Sequence, residues 1–164
     1  MSMSVLRTSA AITTHNGEKY IEEQMKSVLS QTVPFDEIVI CDDASTDDTI
    51  AIIQRVLCNS NYKGKVVIKQ HQHNIGLAKN VKFCFSLCSM DIIVVCDQDD
   101  IFTKNRNKII LDTYYQNKDV VMTFSDATIF WEDCDYTDSL WHNLGLSYDI
   151  FDTNRKTNNT VFNT

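Results

Sequence analysis

The stretch Val94-Val95-Cys96-Asp97-Gln98-Asp99-Asp100 sets three carboxylates directly after an apolar run. Like charges this close repel, and where solvent is restricted at least one is pushed toward protonation. A bound cation removes the conflict. Two carboxylates one residue apart can offer oxygens to Mg²⁺ or Mn²⁺, hard ions that take few protein carboxylates and fill their shells with phosphate and water. The same acids could instead cap a helix expected from Thr103, because Asp favours the N-terminal end of the helix dipole.

Other residues with usable chemistry are spread along the chain. Asp42-Asp43 could be a turn before a helix, or could accept hydrogen bonds from a base or a ribose. His15 could be a surface turn residue or a flat ring against a base. Lys79 could contact phosphate or be solvated. Six cysteines show no CxxC pairing, and Cys84 and Cys88 are one helical turn apart, as on a packed helix face.

The elements that would position these residues alternate strand and helix. Apolar runs at 5–13, 37–41, 65–68, 92–96 and 120–125 read as strands. Helical spacing appears at 20–31 (Ile21, Met25, Val28, Leu29), after Ser45, after Gly76 (Leu77, Val81, Phe85, Cys88) and over 103–116. Ser45 with Asp48 resembles a capping box. The run 92–96 is apolar on both faces, which predicts a central strand covered on both sides. This alternation predicts an α/β fold with a mainly parallel, doubly wound sheet, whose ligands bind beyond the carboxyl ends of the strands. Thr13-Thr14-His15, Asp42-Asp43, Asp97 to Asp100 and Ser125-Asp126 all follow strands, so all are expected on one edge.

Length and charge limit the alternatives. A chain of 164 residues is most simply one domain, with a 43% apolar and 23% charged composition typical of globular proteins. A net charge of −7 argues against a nucleic-acid partner. The opening MSMSVLRTSA has no signal-peptide core, and no run reaches the ~20 apolar residues of a membrane span. A cytoplasmic location, with access to the inner face of the cell membrane, is the resulting expectation.

In order, "TTHNGEKYIEEQMKSVLSQT", "EIVICDDASTDDT", "HNIGLAKN" and "VVCDQDDIF" resemble the successive motifs of family 2 glycosyltransferases. The later "SDATIF" and "SLWHNLG" are most similar to the rhamnosyltransferase-like bacterial branch. The resemblance implies the Rossmann-like, three-layer GT-A fold and inverting transfer of a sugar from a nucleotide-diphosphate donor, UDP- or dTDP-linked. It implies a saccharide or lipid-linked saccharide acceptor and a role in surface polysaccharide synthesis. Carried over by position, Thr13, His15 and Glu18 stand in the first-strand loop at the nucleotide, with His15 where a tyrosine is usual. Asp42 and Asp43 follow, Asp43 at the base edge. Lys79 and Asn80 match an A-R-N-like segment, lysine losing the bidentate fork of arginine. Asp97 and Gln98 stand near the ribose and metal, and Asp99 matches the direct metal ligand, with Asp97 beside it.

The resemblance also implies a catalytic base in an acceptor half after the fifth strand. Asp126, Glu132, Asp133, Asp135 and Asp138 do not occupy the matching place, so no catalytic residue is assigned and the base is expected beyond Thr164. Residues 1–152 are expected to form the nucleotide-sugar-binding domain, with 153–164 a loose Asn/Thr-rich tail. Two other functions are alternatives. A noncatalytic nucleotide-binding fragment would keep the pocket without turnover. A Mg²⁺-dependent phosphoacceptor receiver domain would want its acidic pair after the first strand, where this chain has Thr13-Thr14-His15.

Overall fold

Four of the apolar runs become four parallel strands of one sheet: β1 (Thr8–Thr14), β2 (Glu37–Asp42), β3 (Lys65–Gln70) and β4 (Ile92–Asp97). In this computed structural model the described residues are 5–131, 134–146 and 161–163. Helices α1 (Ile21–Leu29), α2 (Thr49–Cys58) and α3 (Leu77–Leu87) are the crossovers, and α4 (Arg106–Gln116) follows β4. The chain divides into two units, 1–108 and 109–164.

The strand order in the first unit is β3-β2-β1-β4. The chain therefore runs outward from β1 to β3, then returns past β1 to place β4 on the other side. Crossovers between parallel strands are right-handed, so α1 and α2 lie on one face and α3 on the opposite one. The result is three layers with a reversal of strand order beside β1. Packing agrees: Cys84 of α3 is fully buried in a cluster with Ala11, Val39 and Cys41, joined by Val67, Phe83 and Phe85. The alternate residues Ala10, Ile12, Ile38 and Ile40 point to the other face and are equally buried, as are Ile21, Met25 and Ile53 of α1 and α2. Each large side chain buried this way contributes about 1.5–3 kcal/mol.

Three sequence expectations are corrected. The run 92–96 is not central: β4 pairs only with β1 among the described residues, and its burial alternates, with Ile93 39% and Val95 49% exposed. The strands buried throughout are β1 and β2, each flanked on both sides, and the residues of β1 are smaller and more polar than those of β4. The fifth strand, β5 (Thr123–Ser125), is not in this sheet but pairs with β8 (Val161–Asn163). Finally, Ser45 and Asp48 form no capping box. Ser45 Oγ donates to Asp42 Oδ1, while the start of α2 is met by Asp47 Oδ1, which accepts from Thr49 N, and by Glu18 Oε2, which accepts from Asp48 N at 3.1 Å.

The second unit also holds an antiparallel pair, β6 (Thr128–Trp131) with β7 (Cys134–Ser139), leading into the short helix α5 (Leu140–Asn143). Asp126 organises this turn: its carboxylate accepts from Ser139 Oγ and from Trp141 N at 3.0 Å. Glu132, Asp133 and residues 153–160 of the expected loose tail lie outside the described residues. No helix among the described residues is long and apolar enough to cross a membrane.

Candidate functional site

Register brings the strand ends level. Thr13 is opposite Cys41 on one side and Asp97 on the other, and Thr14 is opposite Asp42. At this row, beside the reversal of strand order, opens a cavity of about 300 Å³. It is lined by Thr13, Thr14, His15, Asp43, Asn74, Leu77, Asn80, Asp97, Gln98 and Asp99. Seven of the ten candidate residues thus come together. Asn74 and Leu77 were not among the candidates. Asn74 had a signal, a polar residue in a turn before a helix, whereas Leu77, 71% exposed, had none.

The loops after β1 and β2 are tied into one wall. Thr14 Oγ1 donates to Asp42 Oδ1 at 2.7 Å, Asn16 N donates to Ser45 Oγ at 2.9 Å, and Thr46 N donates to Asn16 Oδ1 at 2.9 Å. Asn16 (φ 47°) and Ala44 (φ 58°) both sit in the left-handed region. For alanine this costs on the order of 1 kcal/mol, held here by the surrounding bonds.

His15 stands on that wall in a defined state. Its Nδ1 lies 2.7 Å from the backbone oxygen of Asp43, which can only accept, so Nδ1 carries the proton. Its Nε2 then accepts from Asn74 Nδ2 at 3.2 Å. Asp43 is nearly buried, and its two carboxylate oxygens accept from Ile75 N (2.7 Å) and Gly76 N (2.9 Å). The carboxylate thereby fixes the turn into α3, where Gly76 has φ 88°, a conformation natural to glycine.

Three candidates do not reach the cavity. Asp42 is fully buried, and its oxygens accept from Thr14, Ser45 and Gln70, so it builds the wall from behind. Glu18 serves the start of α2. Lys79 is exposed on the first turn of α3. Its neighbour Asn80 is 1% exposed and gives its Nδ2 to Cys41 O at 2.8 Å, which leaves Oδ1 buried with no partner. A buried amide oxygen without a donor costs about 1–3 kcal/mol.

The opposite wall is acidic. Among the described residues no hydrogen bond or ion pair holds the side chains of Asp97 or Asp99, and neither caps α4, which begins only at Arg106. Burial and then the charge of Asp99 push the Asp97 carboxyl above the usual range. Asp100 is raised by burial, Asp97 and Asp99, partly countered by Arg106. Among the described residues no Lys or Arg lines the cavity. Among the described residues no three His, Cys, Asp or Glu side chains cluster tightly enough to hold an ion on their own. Two adjacent oxygen donors without a cation suit a Mg²⁺ or Mn²⁺ ion that takes its remaining ligands from a bound phosphate and water.

Comparison with known proteins follows the same outline. The glycosyl transferase family 2 profile matches residues 9–162. A putative glycosyltransferase EpsE of Bacillus subtilis is 32% identical over 95 residues, covering 58% of this chain and 34% of its own length. The dTDP-rhamnosyl transferase RfbG of Shigella flexneri is 35% identical over 107 residues, 60% of this chain and 35% of its own length. The chain thus spans about a third of the length of these relatives. The crystal structure of S. aureus TarS 1-349 in complex with UDP superposes with a TM-score of 0.61 at 26% identity, covering 69% of this chain and 33% of that one.

Proposed function

Since the chain belongs to glycosyl transferase family 2 and has a GT-A fold, we propose that its cavity binds a nucleotide-diphosphate sugar for transfer to a saccharide acceptor. Residues 1–152 are read as the donor-binding domain. The observation that carries the proposal is the pairing of two unlike walls: unpaired acids at the end of β4 face a wall with a flat ring, hydrogen-bonding edges and one carboxylate, Asp43, already engaged by two backbone N–H groups. A diphosphate could not sit beside Asp97 and Asp99 alone. With a divalent cation between them it could, and the wall that carries His15 would take the nucleoside. Asp99, with Asp97, would hold the cation, which when bound supplies charge neutralisation for the departing nucleoside diphosphate.

The chain's own residues then have distinct tasks. The His15 ring, locked by Asp43 and Asn74, offers a flat surface to a base, and the unpartnered Asn80 Oδ1 invites a donor from the ligand. Asp43 keeps the turn before α3 in shape. Lys79 could approach phosphate only by swinging inward from its exposed position. The reaction class is single displacement at a hexosyl anomeric carbon with inversion. No residue here is given the part of the base.

A UDP or dTDP donor is supported by the UDP complex of TarS and by the dTDP-rhamnosyl transferase among the relatives. The role in this reading is bacterial surface polysaccharide synthesis, carried out in the cytoplasm at the inner face of the membrane. The test is calorimetric titration of UDP, dTDP and GDP with and without Mn²⁺. Binding should require the metal, and Asp99→Asn should weaken it at least about tenfold. Equal binding without metal, or by the variant, would overturn the proposal.

A further inference from the structure

The middle residue of Asp97-Gln98-Asp99 makes bonds that neither a metal nor a sugar explains. Gln98 Oε1 accepts from the backbone N of His15 at 2.9 Å, and Gln98 Nε2 donates to the backbone O of His15 at 3.2 Å. The side-chain amide thus pairs with one residue of the β1 loop as a neighbouring strand would, with both polar atoms satisfied. It also packs against Gly17. A Cβ built on Gly17 would come 2.4 Å from Gln98 Oε1 and 2.7 Å from its Cδ, with nothing but Gln98 among its three nearest neighbours. Gly17 is buried and outside the left-handed region, so its lack of a side chain is explained by this contact and not by backbone conformation.

From these contacts we infer that Gln98 is a positioning residue that couples the two ends of the cavity. Asp97 and Asp99 flank it in sequence, and His15 is the residue it grips. A shift of the acidic turn is therefore transmitted to the backbone that carries the His15 ring, and the reverse. This inference rests on the donor-binding reading above. It adds that metal and nucleoside recognise one another through the protein as well as through the diphosphate.

A nucleoside without phosphate isolates that route, because it cannot touch the cation. Uridine and thymidine affinities are measured with and without Mn²⁺ for the parent, Gln98→Ala, Gly17→Ala and the double variant, alongside exchange of the His15 amide proton by NMR. In the parent, Mn²⁺ should tighten nucleoside binding about fivefold. In Gln98→Ala the ratio should fall to about one and the His15 amide should exchange faster. Gly17→Ala, which displaces the amide, should do the same, and should add nothing once Gln98 is Ala, as expected for two perturbations of one contact. A purely structural loss would lower affinity equally with and without metal and leave the ratio unchanged.

An unchanged ratio in Gln98→Ala, no ratio in the parent, or unaltered His15 exchange each overturns the inference. If instead the parent fails to bind UDP with Mn²⁺, the donor-binding reading itself fails, and the amide exchange still reports whether the clamp exists.

Discussion

Glu37, at the end of the sheet away from the cavity, carries a prediction that can be worked through. Its side chain is fully buried and receives Lys65 Nζ at 2.6 Å, Ser9 Oγ at 2.6 Å, Ser89 N at 2.7 Å and Ser89 Oγ at 2.8 Å. Burial alone would raise its pKa, but these donors together bring it down from 4.5 to about 2. At ~1.4 kcal/mol per tenfold, that difference is worth about 3 kcal/mol to the folded state. Lys65 is 51% exposed, so water screens part of the effect, and about 2 kcal/mol is the expectation. Because the folded-state value lies below the ordinary one, the stabilisation is complete above pH ~4.5 and disappears as pH falls toward ~2. Glu37→Gln keeps the shape and removes the charge. Urea unfolding followed by circular dichroism should show the variant about 2 kcal/mol less stable near pH ~7, with the gap closing by pH ~2.5. A gap of the same size at both ends of that range would refute the electrostatic account.

The cavity and the loops give further expectations. Metal-dependent nucleotide binding should fall on acidification at a higher pH than an ordinary aspartate would give, because the Asp97 carboxyl is raised and only its ionised form binds a cation; titration with Mn²⁺ over a pH series checks this. Asp99→Asn should abolish the Mn²⁺-dependent rise in melting temperature while leaving the metal-free chain no less stable, since it relieves repulsion with Asp97; a clear loss of metal-free stability would mean that Asp99 serves the fold. Gly64→Ala should cost about 2 kcal/mol by urea unfolding. Its Cβ would meet Tyr62 Oη at 2.1 Å and the backbone oxygen of Asp36 at 2.7 Å, breaking the bond from Tyr62 to Phe35 O.

Much of this was legible because the period of the apolar residues is a local property. Strand and helix alternation placed β1 to β4 and α1 to α3 correctly, and with them the rule that loops after parallel strands share an edge. What misled was burial inferred from composition. Ile92-Ile93-Val94-Val95 is more apolar than Ser9-Ala10-Ala11-Ile12, yet the latter is central, because position in a sheet depends on partners distant in sequence. Among the site residues, spacing identified the acids but could not say which faced inward. Asp42 and Asp43 are adjacent on an extended segment, so only one could line the cavity, and the choice followed from the register of β2 against β1. Gln98 lines the cavity as the resemblance implies, but its two hydrogen bonds to the His15 backbone had no signal in the sequence.

Glu37 and Asp97 also form a natural control for the reading of the acidic turn. Both are carboxylates at the ends of strands in the same parallel sheet. Where the fold needs the charge, as at Glu37, it supplies a lysine, two hydroxyls and a backbone N–H, and the pKa drops to about 2. Where Asp97 and Asp99 stand, it supplies none of these, and burial and then the charge of Asp99 raise the Asp97 pKa. A chain able to neutralise one strand-end carboxylate so completely has no structural reason to leave two others exposed to mutual repulsion beside a cavity. The cost is acceptable if a cation arriving with the ligand removes it, in which case the same repulsion becomes part of the affinity for that cation.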